Sequence, residues 1–276
     1  MKNAFIVLFT VLITTVVTAQ KKEKIKGSKT VSVTQKEVSS FDSIEIEDNI
    51  EVFLIKGDTE GLEVDADDNL HEIIKAESYG STLRITTTKR VASAKKLSVR
   101  VTYTDKLTSV IAKHEVVLNA ISGLELSNIT IKNLDYSESY LNVKSKNFSL
   151  IMDDKTKAEI NVQSDSSTVI LSKNAKLKAL IATQSAALDL YQKSNATIEG
   201  DAAKAHIRLD NNAELESRNF TVKDMTILAE GYSNCNILAT ETINISANGK
   251  AEIRLYGTPK INVAAFTENA TLYKKE

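Results

Sequence analysis

Apolar and polar positions alternate along the second half of the chain, from about Ile129 onward. The recurring unit starts with a small or apolar residue and continues with branched apolar residues at every second position. Alternation with a period of two is typical of a strand that buries one face. Units of this kind are Ser139-Leu141-Val143, Ala158-Ile160-Val162, Ser167-Val169-Leu171, Ala186-Leu188-Leu190, Ala205-Ile207-Leu209 and Ala251-Ile253-Leu255.

These units recur at a regular distance. Intervals of 19 residues separate Ser139 from Ala158, Ser167 from Ala186, Ala186 from Ala205, and Ala251 from Ala270. A short fixed period favours a solenoid, because stacked turns can bury an apolar face that one turn alone cannot. The sequence therefore predicts an all-β fold, a single-stranded parallel β-helix with two strands of roughly five residues and two corners per turn. A β-sandwich of short strands is the alternative.

The first half of the chain has a less regular pattern of apolar and polar residues. Alternating segments predict strands over 43–55, 62–64, 83–86 and 97–103, the first of them broken near Asp48. Asn69–Glu77 has helical spacing instead and predicts one short helix near the N-terminal end, placed to cover an end of the stack and protect its strand edges. Leu70, Ile73 and Ile74 would share its apolar face, and Asp67, Asp68 or Asn69 would cap it.

The N-terminus has the three-part form of a secretory signal peptide. Lys2 precedes an apolar run from Ala4 to Val17, and small residues at Val17 and Ala19 suit cleavage before Gln20. The alternative for this segment is an uncleaved N-terminal anchor. No later segment reaches the roughly 20 apolar residues of a transmembrane helix. We predict a signal peptide over 1–19, a leader segment over 20–40 and one β-solenoid domain over 41–276. That domain divides into a cap-like part, 41–110, and repeat rungs, 111–276.

Composition narrows the range of functions. The chain has 35 basic and 36 acidic residues, interspersed, and no Trp, which argues against binding to nucleic acid. The lone cysteine, Cys235, cannot form a disulfide within the chain, so burial and backbone pairing must stabilise the fold. With nine Gly and one Pro, the turns must be made by Asn, Asp, Ser and Lys, as at Ser164–Ser167, Asp210–Asn212 and Ser233-Asn234.

Several segments of the first half resemble a known family. They are Phe41–Ile46, Val52–Asp58, Leu62–Leu70, Leu83–Ile85 and Lys96–Tyr103, and together they are similar to the head GIN domain family of autotransporter adhesins. The resemblance covers about Phe41 to Lys275. It implies an exported envelope protein of a Gram-negative bacterium with a parallel β-helix fold. The Gly-Ser-Gly-like turns of the family are replaced here by Lys113-His114-Glu115, Gln184-Ser185-Ala186 and Glu268-Asn269-Ala270.

No residue pattern predicts a catalytic, cofactor or metal site. His71, His114 and His206 lie far apart in sequence, and Cys235 takes a slot filled elsewhere by Ala158, Ala186 and Ala251, as a small core residue would. The acidic run Asp65–Asn69 suits a helix cap better than calcium, because it lacks the downstream Gly and Glu of a twelve-residue calcium loop. Acids available to a β-helix polysaccharide hydrolase or lyase are Asp153, Asp154, Asp165, Asp189 and Asp210.

The expected function is therefore contact without catalysis, in the periplasm, at the cell surface or outside the cell. A solenoid presents long faces that suit an extended glycan or a protein of the cell envelope, and uncovered solenoid ends suit self-association. The alternatives are a polysaccharide-active enzyme and a purely structural periplasmic protein. Aromatic residues expected to face outward, for binding or simply to shield corners, are Tyr136, Tyr140, Tyr191, Tyr232 and Tyr256.

Overall fold

A computed structural model describes residues 22–276 as a nearly all-β protein. Eighteen of its twenty strands form one sheet that coils on itself, and β1 and β8 form a separate pair. The strands are Lys24–Lys26 (β1), Val31–Lys36 (β2), Ser43–Ile46 (β3), Glu51–Lys56 (β4), Gly61–Asp67 (β5), Ile74–Tyr79 (β6), Thr82–Thr87 (β7), Arg90–Ser93 (β8), Leu97–Tyr103 (β9), Ser109–Ala112 (β10), Val117–Asn133 (β11), Glu138–Met152 (β12), Lys157–Leu171 (β13), Lys176–Leu190 (β14), Asn195–Leu209 (β15), Glu214–Ala229 (β16), Asn234–Ala247 (β17), Glu252–Tyr256 (β18), Lys260–Phe266 (β19) and Thr271–Lys274 (β20).

The second half is a parallel β-solenoid, as the sequence predicts. Each strand from β12 to β15 pairs in parallel with the next along the chain. The 19-residue interval is the register of this pairing, since Ser139 pairs with Ala158, Ser167 with Ala186, and Ala186 with Ala205. Parallel pairing of consecutive strands excludes the β-sandwich, whose sheets are antiparallel.

Each turn of the coil, called a rung below, differs from the prediction of two strands and two corners. A single strand of 15 residues runs round most of the rung in β12 to β15. Its direction changes near Ser145, Ser164 and Thr183, after each of which the pairing skips one residue. The predicted turn at Ser164–Ser167 is therefore a bend within β13, where hydrogen bonding to both neighbouring rungs continues.

A single tight corner closes each rung. The corners at Gly231, Gly249 and Glu268 have one residue with left-handed backbone. The corners between β10 and β16 have two in succession, and the N–H of the second commonly donates to a carbonyl of the neighbouring rung, as from Tyr136 to Asp154 at 3.1 Å. The predicted turn Asp210–Asn212 is one of these corners. The others in the regular part of the coil are His114-Glu115, Asp135-Tyr136, Asp154-Lys155, Lys173-Asn174 and Gln192-Lys193.

The core is a set of apolar ladders inside the coil. One ladder stacks, from rung to rung, Val169, Leu188, Ile207, Ile227 and Ile245, all of them buried. Such side chains contribute about 1.5–3 kcal/mol each through removal from water. The alternation seen in the sequence is therefore the alternation between the inside and the outside of the solenoid.

Cys235 belongs to this core. It pairs with Leu215 and Ile253 and is buried, and burial raises the pKa of its thiol to about 12, although Arg254 acts in the opposite direction. The expectation of a small core residue is confirmed. Of the alanines predicted to match it, Ala158 shares its ladder, while Ala186 belongs to another and Ala251 lies two residues before Ile253.

The helix predicted over Asn69–Glu77 is wrong. The structure has a 3-10 turn at Asp68–Leu70, and Ile74–Tyr79 is strand β6, antiparallel to β7. An isolated helix of nine residues is marginal in water, whereas the extended segment pairs with β7 along all six of its residues. Leu70 and Ile74 are completely buried all the same, so the apolar spacing that resembles a helix face belongs to a turn packed against the core.

The N-terminal end of the solenoid is closed by strands of reversed direction. Strand β5 pairs antiparallel with β9, and β2 pairs antiparallel with β5. On the inward side of β2 the apolar ladder ends, because Ser32, Thr34 and Lys36 stand opposite Ala66, Val64 and Leu62. Thr34 Oγ1 lies 2.8 Å from His71 Nδ1, and Lys36 Nζ donates to the Ile74 carbonyl at 2.6 Å. We call β1, β2, β5, β6 and the 3-10 turn at Asp68–Leu70 the N-terminal cap.

The leader segment takes part in this cap, since β1 and β2 lie within residues 20–40. Asp67 fixes it in place: the buried carboxylate accepts backbone N–H groups from Lys29, Lys95 and Lys96 at 2.9–3.1 Å. Asn69 Oδ1 accepts the Ser28 N–H at 2.9 Å. These contacts replace the predicted helix cap as the explanation of the acidic run. The predicted signal peptide, 1–19, lies outside the described residues.

Candidate functional site

A shallow groove runs along one side of the solenoid across the rungs of β11 to β15. Three adjoining depressions of about 480, 180 and 300 Å³ make it up. The first two share Asn142 and Asn161, and the last two share Lys144 and Gln163, so their linings are continuous. Four steps between rungs give it a length of roughly 19 Å. We call it the lateral groove.

The register of the rungs builds the lining of the lateral groove. Outward residues 19 apart in sequence become direct neighbours, and each such column crosses several rungs. The columns are Asn142-Asn161-Leu180-Glu199 and Lys144-Gln163-Ala182-Asp201, with Asp165 and Gln184 beside them. The result is an array of amide, carboxylate and lysine side chains around Leu180, a side chain that is 48% exposed.

Tyr140 forms one edge of the lateral groove, and a neighbouring ion pair orients it. Its hydroxyl donates to Glu138 Oε2 at 3.1 Å, and Lys157 Nζ donates to Glu138 Oε1 at 2.8 Å. The hydrogen bond to Glu138 raises the pKa of Tyr140, and the hydrogen bond from Lys157 lowers the pKa of Glu138. At neutral pH Tyr140 therefore presents a neutral ring whose hydroxyl is held by a carboxylate.

The other tyrosines named from the sequence do not line the lateral groove. Tyr136, Tyr191 and Tyr232 lie at or beside the corners, each with a basic group from a neighbouring rung over its ring. The basic group is 5.1–5.6 Å from the ring centre in each case, within the range of a cation–π contact. These contacts fit the shielding of corners. Tyr256 is half-buried at the end of β18.

The five acids considered for a hydrolase or lyase are dispersed over the solenoid. Asp153, Asp154 and Asp210 lie at corners, where Asp153 accepts from Ser172 and Lys173 at 2.5 and 2.8 Å. Asp189 points outward from the second part of β14, and Asp165 alone lines the lateral groove. Sequence reasoning missed Glu159, Glu199 and Asp201, which also line the groove. The 19-residue register could have identified them, because it places them in columns with the other lining residues.

The three histidines also lie in different parts of the structure. His71 bonds the side chains of Ser32 and Thr34 in the N-terminal cap, His114 lies at a corner 3.5 Å from Asp135, and His206 is an exposed outward residue of β15. Within residues 22–276 no group of three or more His, Cys, Asp or Glu side chains is placed to hold a metal ion.

A larger depression of about 690 Å³ lies beside the corner of the first rungs, where the leader meets the coil. Of the three acidic residues that line it, Asp48 accepts from Lys22 at 2.6 Å and from the Thr87 N–H at 2.8 Å. Burial opposes ionisation of Asp48, but these hydrogen bonds outweigh it and lower its pKa. The contacts of this depression attach the leader to the solenoid, and we assign it a structural role.

Known structures share this architecture. A "putative adhesin" from Parabacteroides merdae is 18% identical with a TM-score of 0.65, over 92% of this chain and 100% of that one. One from Parabacteroides distasonis is 17% identical with a TM-score of 0.67, over 91% and 100%. A "putative lipid binding protein" from the same species is 13% identical with a TM-score of 0.68, over 92% and 100%. At these identities the likeness concerns the fold.

Sequence comparison identifies the family. No curated protein matches the chain. The family described as "Putative auto-transporter adhesin, head GIN domain" matches residues 40–259, which is more than half of the chain and includes the lateral groove. The chain therefore belongs to the head GIN domain family.

Proposed function

We propose that the protein is a non-catalytic, exported binding scaffold of the cell envelope or cell surface, and that its lateral groove binds an extended glycan. The observation that carries this proposal is the stacked array of amides and carboxylates beside the Tyr140 ring. Amides can donate to and accept from sugar hydroxyls, carboxylates can accept from them, and an aromatic ring can pack on a sugar face.

The groove favours a glycan over a protein strand. It lies on the outer surface of paired strands, whose backbone groups already bond the neighbouring rungs. A bound peptide would find no free strand edge there to extend. A polymer of similar sugar units, in contrast, can repeat one set of contacts along a lining that itself repeats at each rung.

A lipid ligand is less well supported for this groove. One structural neighbour is described as a lipid-binding protein, but here the inside of the coil is filled by ladders of apolar side chains. The outer lining mixes amide and carboxylate groups with apolar side chains such as Leu180, on an open and shallow surface. Such a surface does not offer the apolar cavity that an acyl chain needs.

An exported location supports the same function. The predicted signal peptide and membership of an adhesin family both favour a periplasmic, cell-surface or extracellular protein. In the described part of the chain, no helix combines the length and the apolar character required to cross a membrane. Fractionation of cells into periplasm, outer membrane and medium, with surface protease digestion, would locate the protein.

A binding experiment tests the proposed function. The purified protein is screened on an array of neutral and acidic polysaccharides, and hits are measured by calorimetry. Replacing Asn161 and Gln163 together by Ala removes two groove amides. With a net value of about 0.5–1.5 kcal/mol per hydrogen bond, the affinity should fall about tenfold or more.

The matched control replaces His206 and Thr226 by Ala, because both are exposed outward residues away from the groove. This variant should bind as the parent protein does. Absence of any glycan hit, or equal losses in the two variants, would contradict the proposal. A reducing-end assay on the same polysaccharides addresses the enzyme alternative, and turnover would establish it.

A further inference from the structure

The C-terminal end of the solenoid is an apolar surface that no described residue covers. On the last rung, Ile261 pairs with Ile243, Val263 with Ile245, and Phe266 with Ala247. The partners on β17 face the core and are buried, so the β19 side chains continue the same inward ladders. They are nevertheless 40%, 56% and 39% exposed, because no strand among residues 22–276 lies over them.

Strand β19 also presents a free edge. It pairs with β17 on one side, while its other side has no strand partner within residues 22–276. Proteins commonly protect such edges with charged side chains. Lys260 is the one charged residue of β19, at its start, whereas edge strand β6 at the opposite end carries Lys75 and Glu77. Strand β19 is therefore less protected than β6, although β2 at the N-terminal end also carries a single charge, Lys36.

We propose that this surface binds the same surface of a second copy, so that two solenoids join through their C-terminal ends. A two-fold dimer needs one patch that is complementary to itself, and an apolar patch with a nearly uncharged strand edge meets that condition. Strand β19 then pairs antiparallel with its copy, and the two core ladders become continuous across the interface.

The N-terminal cap is a poorer partner for this surface. Its inward ladder ends in Ser32, Thr34 and Lys36, and Glu72 beside them is exposed. Head-to-tail contact would place these polar groups against Ile261, Val263 and Phe266, at the cost of their hydration. It would also generate open-ended filaments, because such a contact does not close. Contact between C-terminal ends stops at two copies and gives a rod of nearly twice the length.

Sedimentation of the purified protein over a range of concentrations tests the proposal. The structure offers a matched pair of variants: Val263→Lys at the C-terminal end and Val33→Lys on β2 at the N-terminal end, where the two valines are 56% and 57% exposed. The parent protein and Val33→Lys should form a dimer, and Val263→Lys should remain a monomer. Because both side chains are exposed, circular dichroism should show that both variants keep the fold.

Cross-linking provides a second readout. The native Cys235 is buried with its pKa raised to about 12, so it does not react under mild conditions. In Val263→Cys a short bis-maleimide should give a covalent dimer, and in Val33→Cys it should not. A parent protein that stays monomeric at every concentration overturns the proposal. Filaments, or a dimer lost in Val33→Lys but retained in Val263→Lys, also overturn it.

Discussion

The two ends of this solenoid differ in how far they cover the apolar core. At the N-terminal end, reversed strands and a turn cross the core, with Leu70 and Ile74 buried beneath them. At the C-terminal end, β19 repeats the inward apolar pattern, and Ile261 and Val263 remain in contact with solvent. A coil that grows by repetition has no intrinsic stop, so each end requires its own solution.

The difference between the ends is one of chemistry as well as geometry. In the N-terminal cap the inward positions change from apolar on β5 to polar on β2, and these polar groups bond His71 and the Ile74 carbonyl. Closing the end thus leaves hydrogen-bonded polar groups where the inward apolar ladder would otherwise continue. The C-terminal end retains the apolar surface, which is why we assign it to an interface.

The largest effect is expected from truncating leucine at the two ends. Leu70 is fully buried and should lose about 2–5 kcal/mol of unfolding free energy on replacement by Ala. Leu272 packs against the core from a partly exposed position, and its replacement by Ala should cost about 1 kcal/mol or less. Urea denaturation of the two variants measures both losses. Equal losses would show that the two ends are equally closed.

Acid should open the N-terminal cap before the rest of the solenoid. Burial opposes ionisation of Asp67, but hydrogen bonds from the N–H groups of Lys95, Lys96 and Lys29 outweigh it and lower the pKa of this carboxyl. A lowered pKa in the folded state means that the stabilisation is complete above the ordinary pKa of Asp and is lost as pH falls through the folded value.

Limited proteolysis between pH 6 and pH 2 with an acid-tolerant protease measures this opening. Cleavage within residues 24–36 should appear first, while β12 to β17 stay protected. Replacing Asp67 by Asn should expose the leader already at neutral pH, since an amide cannot accept the same set of N–H groups as strongly. Asp65→Asn is the control, because Asp65 lies on the same strand, and it should change little. A leader that is resistant at all pH values would contradict this role of Asp67.

Replacing corner residues by Gly should have a smaller effect of opposite sign, an increase in the unfolding free energy. Gln192 has a left-handed backbone with φ of 51°, a conformation that favours glycine. Gln192→Gly should therefore raise the unfolding free energy by about 0.5–1 kcal/mol. Glu268→Gly, at φ of 59° near the open end, should give less because a frayed end contributes little to global stability. A converse variant is Gly249→Ala, whose new Cβ would lie 2.7 Å from the Gly231 carbonyl oxygen, and it should destabilise the protein.

Much of the fold follows from the sequence because repetition makes register visible. The 19-residue intervals between small residues are the pairs that stack in the structure. The cap does not repeat, and there the same reasoning failed. Leu70, Ile73 and Ile74 have the spacing of a helix face, but a turn followed by a strand buries them equally well. The segment forms a strand because it pairs with β7, and the local spacing of apolar residues carries no information about that pairing.

The lateral groove could be predicted only in part. Tyr140 and Asp165 stand out individually in the sequence, but Asn161 and Gln163 acquire meaning only when stacked on Asn142 and Lys144. Applying the 19-residue period to the outward positions, as well as the inward ones, would have revealed these columns. The bends could have been found as well, because the inward positions change phase there, from Ala158-Ile160-Val162 to Ser167-Val169-Leu171.

Hydrogen exchange at two protein concentrations tests the contrast between the ends most directly. We predict that amides of β2 and β5 in the N-terminal cap are protected equally at low and high concentration. Amides of β19 should exchange rapidly when the protein is dilute and become protected when it is concentrated enough to dimerise. Protection of β19 that is independent of concentration, or new protection of β2 at high concentration, would contradict a solenoid closed at its N-terminal end and open for pairing at its C-terminal end.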